Sequence, residues 1–228
     1  MSREYRLQKL LENRHIWRPG EFSAAGRNNV PSGFNALDQR LGGGWPIGVL
    51  TEILLSNPGI GELGVLMPAL MHLSAYESAS YHDSHLTAQD ARGSSRSNWS
   101  LWIAPPYIPY APALTHYGLD ISRVLVVNSV KQIDALWAME QALHSAVCMV
   151  VLGWFADIDD RSMRRLQLAA ESGACLAVIF RHARFADITS PAPLRIHIRS
   201  GGNPEAGDLD LQILRNRYGP VGSLSLQC

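Results

Sequence analysis

The chain has 228 residues, of which 46% are hydrophobic and 18% are charged. This length suits one large α/β domain or two small ones, and the composition excludes intrinsic disorder as the whole answer. Twenty Lys and Arg balance twenty Asp and Glu, which excludes a polybasic nucleic-acid coat protein. The balance is uneven, because residues 1–160 hold 11 basic and 15 acidic residues whereas residues 161–228 hold 9 and 5. We therefore expect an anionic partner to contact the C-terminal third.

The first 30 residues predict an N-terminal amphipathic helix followed by a linker. Leu7, Leu10 and Leu11 share one face of a helix over residues 3–18, and the basic residues lie largely off that face. Pro19-Gly20 ends this helix, and a polar stretch follows it. The helix either packs on its own domain or docks on another protein.

From residue 31 onward the pattern alternates between strands and helices. Strands are predicted over residues 49–55, 100–104, 123–127, 148–152 and 175–180. Helices are predicted over residues 63–75, from a Ser129–Gln132 capping box to about residue 145, and from an Asp157 cap to Gly173. This order predicts an α/β fold with a mostly parallel sheet flanked by helices.

The end of the chain has a different pattern. Residues 194–199, 209–215 and 223–226 are apolar-containing runs joined by Gly-rich turns, which favours antiparallel strands added at the C-terminal end. Residues 78–98 are rich in Ser, His and Asp without periodicity, and we interpret them as a flexible insertion in a domain that spans residues 31–228.

A glycine-containing loop lies between the first predicted strand and helix. It has the strand–loop–helix order of a phosphate loop, in which backbone N–H groups and a helix N-terminus hold phosphates. That chemistry needs Lys after the last Gly and then Ser or Thr for magnesium. Glu62 and Leu63 stand there instead, so the sequence predicts a degenerate phosphate loop without a nucleotide cofactor, made by Ser56, Gly59, Gly61, Glu62 and Leu63.

Residues 31–226 resemble the RecA-type core. The resemblance rests on segments such as SGFNALDQRLGGGWPIGVLTEIL, AVCMVVLGWFADI and LRIHIRSGGNPEAGDLDLQILRNRYGP. Within that superfamily, Trp45-Pro46, the phrase APPYIPYAPAL at residues 104–114 and RRLQLA at residues 164–169 most resemble the ImuA family. ImuA proteins are accessories to mutagenic translesion DNA synthesis, and SulA, the SOS cell-division inhibitor, is a shorter relative in the same degenerate RecA-like group.

The RecA resemblance implies that the catalytic positions have been lost. The phosphate-loop lysine corresponds to Glu62, and the magnesium-binding hydroxyl corresponds to Leu63. The water-activating glutamate corresponds to Pro106, the Walker B aspartate to Gly153 and the adenine-stacking aromatic to Ala113. The resemblance therefore implies a pseudo-ATPase that has no catalytic residues and is not an enzyme.

The ImuA resemblance further implies a function and partners. It predicts a cytoplasmic accessory protein of DNA repair, induced by DNA damage in the SOS response, that assembles an ImuB-like protein with the RecA filament. An error-prone polymerase would join indirectly through ImuB. The alternative is a SulA-like cell-division inhibitor that binds the tubulin homologue FtsZ. Three cysteines without a disulfide framework, no signal region and no apolar run of about 18 residues predict a reduced protein with no membrane partner.

Arginines in the C-terminal third are the candidate contacts with partners or DNA. Arg161, Arg164 and Arg165 lie at i, i+3 and i+4 of a predicted helix. They would form either a solvated face or a contact with an acidic partner or phosphate. Arg181, Arg184 and Phe185 follow a predicted strand where the second DNA-contacting loop of RecA lies. They would form a single-stranded DNA contact or a merely basic surface loop.

Arg215 and Arg217 lie near the end of the predicted closing hairpin. They match a basic-Asn-basic triplet that reaches across the RecA filament interface, and residues at i and i+2 of a strand share a face. They are interpreted as a RecA-filament contact or as edge-strand charges that discourage aggregation. His82, Asp83 and His85 are not expected to form a metal site, because no distant ligand accompanies them. Trp154 follows Gly153 at a strand's carboxyl end, where α/β sheets place ligands.

Overall fold

The computed structural model describes residues 29–80, 99–129, 131–203 and 207–227. The predicted N-terminal helix and almost all of the predicted insertion lie outside these residues, as do His82, Asp83 and His85. The described elements in chain order are β1 (Asn29–Val30), α1 (Asn35–Leu41), β2 (Trp45–Pro46), β3 (Val49–Leu55), α2 (Glu62–Ser80), β4 (Trp99–Ile103), α3 (Ala111–His116), β5 (Val124–Val127), α4 (Gln132–His144), β6 (Cys148–Trp154), α5 (Asp160–Gly173), β7 (Leu176–His182), β8 (Leu194–Ser200), β9 (Asp208–Asn216) and β10 (Gly222–Gln227).

Eight of these strands form one mixed sheet in the order β10-β9-β8-β3-β7-β6-β4-β5. The strands from β8 to β5 in that order pair in parallel, and β9 is antiparallel to both of its neighbours. A separate antiparallel pair joins β1 and β2. The predicted α/β class, with a mostly parallel sheet and antiparallel pairing at the C-terminal end, is confirmed. The prediction is wrong for β8, which extends the parallel part by pairing with β3.

Apolar side chains cover both faces of the sheet. One cluster joins the sheet to α1, α2 and α3, through residues such as Leu41, Leu70 and Leu114. The other cluster joins the opposite face to α4 and α5, through residues such as Met139 and Leu166. The central strands are therefore buried on both faces, as expected for parallel strands. Their carboxyl ends remain open, and this edge of the sheet carries the candidate site.

The N-termini of α4 and α5 differ from the sequence predictions. The N-cap of α4 is Lys131 and makes no side-chain cap, whereas the Ser129 hydroxyl donates to the Lys131 carbonyl at 2.9 Å. The predicted capping box is therefore wrong. The cap of α5 is Asp159 rather than Asp157, because its carboxylate accepts the Ser162 N–H at 2.6 Å. This hydrogen bond lowers the pKa of Asp159 below the usual 3.8.

Gly173 is the last residue of α5 rather than the residue beyond its end. The left-handed position at the C-terminal end of α5 is taken by Ala174, at φ 45°. Gly173 meets a different requirement, because a Cβ there would lie 1.7 Å from the Leu143 carbonyl oxygen. A residue without a side chain therefore lets the ends of α4 and α5 approach closely.

Two further structural findings bear on the sequence predictions. Cys148 and Cys175 are both buried, and burial raises the pKa of the Cys148 thiol. Within the ranges described, no helix combines the length and the apolar character needed to cross a membrane.

Candidate functional site: two clefts at the carboxyl edge of the sheet

The glycine-containing loop that the sequence predicts to be a degenerate phosphate loop connects β3 to α2, and a carboxylate of the loop accepts one of its own backbone N–H groups. Gly59 and Gly61 have φ values of 90° and 101°, in the left-handed region that favours glycine. Glu62, at the start of α2, is 4% exposed. Its two carboxylate oxygens accept the Gly59 N–H at 2.9 and 3.0 Å. A backbone donor that could bind a phosphate is therefore already satisfied by a carboxylate of the same loop.

A cleft of about 310 Å³ lies beside this loop, and we call it the phosphate-loop cleft. It brings Glu62, Leu63 and Pro106 together and is lined by Gly59, Gly61, Glu62, Leu63, Trp102, Pro105, Pro106, Tyr107, Ile108, Pro109, Tyr110 and Trp154. Gly153 is buried at the end of β6, and a Cβ there would lie 2.6 Å from the Phe155 ring. The position that the RecA resemblance matches to the Walker B aspartate therefore has no space for a side chain unless its neighbours move.

The loop after β4 carries three exposed large side chains beside this cleft. Tyr107 is 65% exposed, Ile108 is 91% exposed and Tyr110 is 71% exposed. Four prolines lie among them and next to them, at residues 105, 106, 109 and 112. Each proline fixes its own φ, so the loop presents its apolar side chains with little conformational freedom to lose on binding.

A second cleft, of about 410 Å³, shares Pro106 and Trp154 with the first. We call it the basic cleft, and it is lined by Leu55, Ser56, Pro58, Ala104, Pro106, Trp154, Phe155, Ala156, Phe180, Arg181, His182 and Arg184. The Trp154 ring stacks on Phe180, with centroids 4.6 Å apart and planes inclined by 14°. Trp154 therefore forms part of the wall between the two clefts, at the strand end where the sequence placed it.

A buried ion cluster lies behind the basic cleft. Glu52 of β3 is fully buried and accepts Arg181 Nη1 at 2.6 Å and Arg195 Nε at 2.5 Å. Arg181 also donates to the Ile158 carbonyl at 3.1 Å. The predicted surface position of Arg181 is wrong, because β7 continues through His182 and leaves Arg181 8% exposed. Sequence analysis missed Glu52, although a carboxylate inside an apolar strand is itself a signal of a buried cation.

Arg184 and Phe185 lie in a short helical turn, Ala183–Phe185, that follows β7. The Arg184 guanidinium lies 4.9 Å from the centre of the Phe185 ring, and Arg181 lies 4.0 Å from the same centre. Arg195 donates to the carbonyls of Phe185 and Ala186, at 2.7 and 3.4 Å. The ion cluster therefore holds this turn in place beside the basic cleft.

Residues 48–177 match the family model described as "Cell division inhibitor SulA", and this match covers more than half of the chain. The chain belongs to the SulA family.

Individual SulA proteins show the same similarity. The chain is 33% identical over 101 residues to SulA of Photorhabdus laumondii subsp. laumondii, which is 44% of this chain and 57% of that protein. It is 29% identical over 108 residues to SulA of Edwardsiella piscicida, covering 47% and 64%. For SulA of Serratia proteamaculans the values are 33% over 89 residues, covering 39% and 53%. The chain thus spans between about half and two thirds of the length of these curated relatives.

These matches correct the family assignment made from sequence. The ImuA assignment is wrong, because the family model and the matched relatives are SulA proteins. The translesion-synthesis function is wrong for the same reason. The partners inferred from it are also wrong, namely an ImuB-like protein, the RecA filament and, through ImuB, an error-prone polymerase. The SulA alternative agrees with the comparisons.

The segment that matches the SulA family contains the lining of the phosphate-loop cleft and only part of the lining of the basic cleft. Every described residue that lines the phosphate-loop cleft lies within residues 48–177. The basic cleft takes Phe180, Arg181, His182 and Arg184 from beyond that segment. Its basic side therefore lies outside the part of the chain that identifies the family.

The remaining candidate arginines lie away from both clefts. Arg165 of α5 pairs with Glu140 of α4, with its Nε 3.1 Å from the carboxylate, whereas Arg161 and Arg164 are exposed on α5. Arg215 donates to the Ser190 carbonyl at 2.6 Å. Arg217 lies beyond the end of β9, so the prediction that both guanidiniums share one strand face is wrong. The described residues contain no group of three or more His, Cys, Asp or Glu that could hold a metal ion.

Proposed function

We propose that this chain is a cell-division inhibitor that binds FtsZ and has no ATPase activity. The observation that carries the proposal is the exposed apolar loop, Tyr107 to Tyr110, which lies inside the segment that matches the SulA family. Because FtsZ polymerises in the cytoplasm, this function places the chain in the cytoplasm.

The loop has the properties of a protein-docking surface. Adjacent large apolar side chains exposed on a soluble protein mark interaction sites, and aromatic anchors supply much of the energy of protein interfaces. Tyr107, Ile108 and Tyr110 meet both descriptions. The prolines around them reduce the entropy that ordering the loop would otherwise cost on binding.

Three positions support the proposed absence of ATPase activity. The Glu62 carboxylate accepts the Gly59 N–H and places negative charge where a triphosphate would lie. Gly153 leaves no space for a metal-binding carboxylate, and Pro106 offers no base. The sheet order and the position of the degenerate loop support a RecA-like fold that has been kept as a binding scaffold after the nucleotide chemistry was lost.

The FtsZ proposal is tested with purified proteins. The wild-type chain is expected to lower the GTPase rate of FtsZ and the amount of pelletable polymer. The double variant Tyr107→Ser with Ile108→Ser should bind FtsZ at least about tenfold more weakly, because it removes two exposed anchors without touching the core. Leu168→Ser is the matched control, since Leu168 is an exposed leucine on α5. A wild-type chain without any effect on FtsZ contradicts the proposal.

The pseudo-ATPase proposal has its own test. Neither the wild-type chain nor the double variant Glu62→Lys with Leu63→Thr should hydrolyse ATP, because the base and the metal-binding carboxylate are still missing in the variant. Phosphate release is measured with and without magnesium. Magnesium-dependent hydrolysis by the wild-type chain would overturn the proposal.

A further inference from the structure

The basic cleft has walls of two different kinds. Trp154, Phe180 and Leu55 supply an apolar wall, and Arg181, His182 and Arg184 supply a basic one. Of the described residues that line it, none is Asp or Glu. A ligand that complements this cleft therefore has an apolar body and a negative charge.

The ion cluster behind the cleft carries an excess of positive charge. Two guanidiniums, of Arg181 and Arg195, share the single carboxylate of Glu52. All three side chains are buried, so solvent screens this excess poorly. A ligand carboxylate that approaches Arg181 from the cleft would neutralise this excess positive charge.

Two buried N–H groups on the cleft walls have no acceptor among the described residues. They are Arg181 Nε and Trp154 Nε1. Folded proteins leave few buried donors unpaired, and both of these donors belong to residues that line the cleft, so a ligand with acceptor atoms would complement it. Both groups are closed to solvent, and a ligand would reach them when the indole or the guanidinium turns towards the cleft.

We infer that the basic cleft binds a segment of FtsZ in which an Asp or Glu carboxylate adjoins an apolar side chain. The apolar side chain packs against Trp154 and Phe180, and the carboxylate pairs with Arg184 at the exposed side of the cleft and with Arg181 behind it. The identity of the partner rests on the proposed function. The charge selectivity of the cleft rests on the geometry alone, and its basic residues lie outside the segment that identifies the family.

The charge selectivity is tested without FtsZ, by nuclear magnetic resonance of the full chain. The probe is 3-phenylpropionate, and its matched neutral analogue is 3-phenylpropanol. The indole N–H resonance of Trp154, assigned with Trp154→Phe, should shift and saturate with the acid and respond about tenfold more weakly to the alcohol. Arg184→Ala should weaken the response to the acid. Equal responses to acid and alcohol, or no shift with either, would overturn the inference.

The partner is tested by measuring FtsZ binding of Arg184→Glu beside the matched variant Arg164→Glu. Arg164 is an exposed arginine of α5 that lines neither cleft. Arg184→Glu should weaken binding about tenfold, and Arg164→Glu should leave it within about twofold. If both variants bind FtsZ like the wild type, this inference is wrong and the proposed function stands. A wild-type chain that selects the acid but does not bind FtsZ contradicts the proposed function and supports the selectivity.

Discussion

Glu62 and Arg181 lie at the same edge of the sheet, but the hydrogen-bonding groups around Glu62 are paired, whereas some of those around Arg181 are not. At Glu62 the carboxylate and the backbone donor of Gly59 satisfy each other within one loop. At Arg181 two guanidiniums compete for one carboxylate, and the Arg181 Nε and the neighbouring Trp154 Nε1 lack acceptors among the described residues.

This comparison shows how two points at one edge of an α/β sheet can differ in whether their charges and backbone or side-chain donors are satisfied. Ligands bind at the carboxyl ends of such strands because loops and helix N-termini collect there. In the loop, the Glu62 carboxylate already accepts the Gly59 N–H, so this donor needs no anionic ligand. Pro106 and Trp154 line both clefts, and in the second cleft the positive charges and N–H donors are in excess.

The largest expected effect comes from removing the carboxylate of the buried cluster. Glu52→Gln leaves two buried guanidiniums without a counter-charge and should lower the free energy of unfolding by about 3–5 kcal/mol. Urea unfolding followed by circular dichroism measures this change. Glu140→Gln is the control, because Glu140 pairs with the exposed Arg165 and such pairs contribute about 0–1 kcal/mol. If both variants lower the free energy of unfolding equally, the buried cluster is no more important for stability than the surface ion pair.

A smaller effect is expected at the phosphate loop. Glu62→Ala removes the acceptor of the Gly59 N–H and should lower the free energy of unfolding by about 1 kcal/mol, because the exposed donor can turn to water. Glu171→Ala, on the exposed surface of α5, is the control and is measured by the same urea unfolding. If Glu62→Ala leaves stability unchanged, the loop is not held closed by its own carboxylate.

The smallest effect concerns the cap of α5, which begins just after the carbonyl of Ile158 that binds Arg181. Because the Ser162 hydrogen bond lowers the pKa of Asp159, its contribution to stability is present above the ordinary value of 3.8 and is lost as the pH falls through the native pKa. Asp159→Ala should therefore lower the Tm at pH 7, and the difference from wild type should shrink in acid. Asp157→Ala, the cap predicted from sequence, should not change the Tm; the reverse result would restore that prediction.

Local sequence patterns predicted the strands well and the helix ends poorly. The apolar run at residues 49–55 predicted β3 with its observed bounds, because a fully buried strand of a parallel sheet is apolar on both faces. The run Asp157-Ile158-Asp159-Asp160 offers several carboxylates to cap α5, and the choice depends on which residue starts the helix. Sequence spacing alone did not decide that.

The hydrogen bond between Glu62 and Gly59 could be predicted in part from the sequence, whereas the ion cluster behind the basic cleft could not. Glu62 stands three residues after Gly59, a spacing at which a side chain near a helix start can reach back to a backbone N–H. Arg181 meets Glu52 from 129 positions away, and that pairing depends on the order of β3 and β7 in the sheet. The predicted end of β7 was two residues too early, which placed Arg181 in a loop instead of in the core.

The ion cluster also determines how far the chain can be shortened. Glu52 lies inside the segment that matches SulA, but Arg181 and Arg195 both lie after its last residue, 177. A fragment limited to residues 48–177 would have to bury a carboxylate with neither of its cations, and it would lose β8 from beside β3. We therefore expect the family segment not to fold on its own, because its central strand, β3, depends on β8 and on two arginines that lie beyond residue 177.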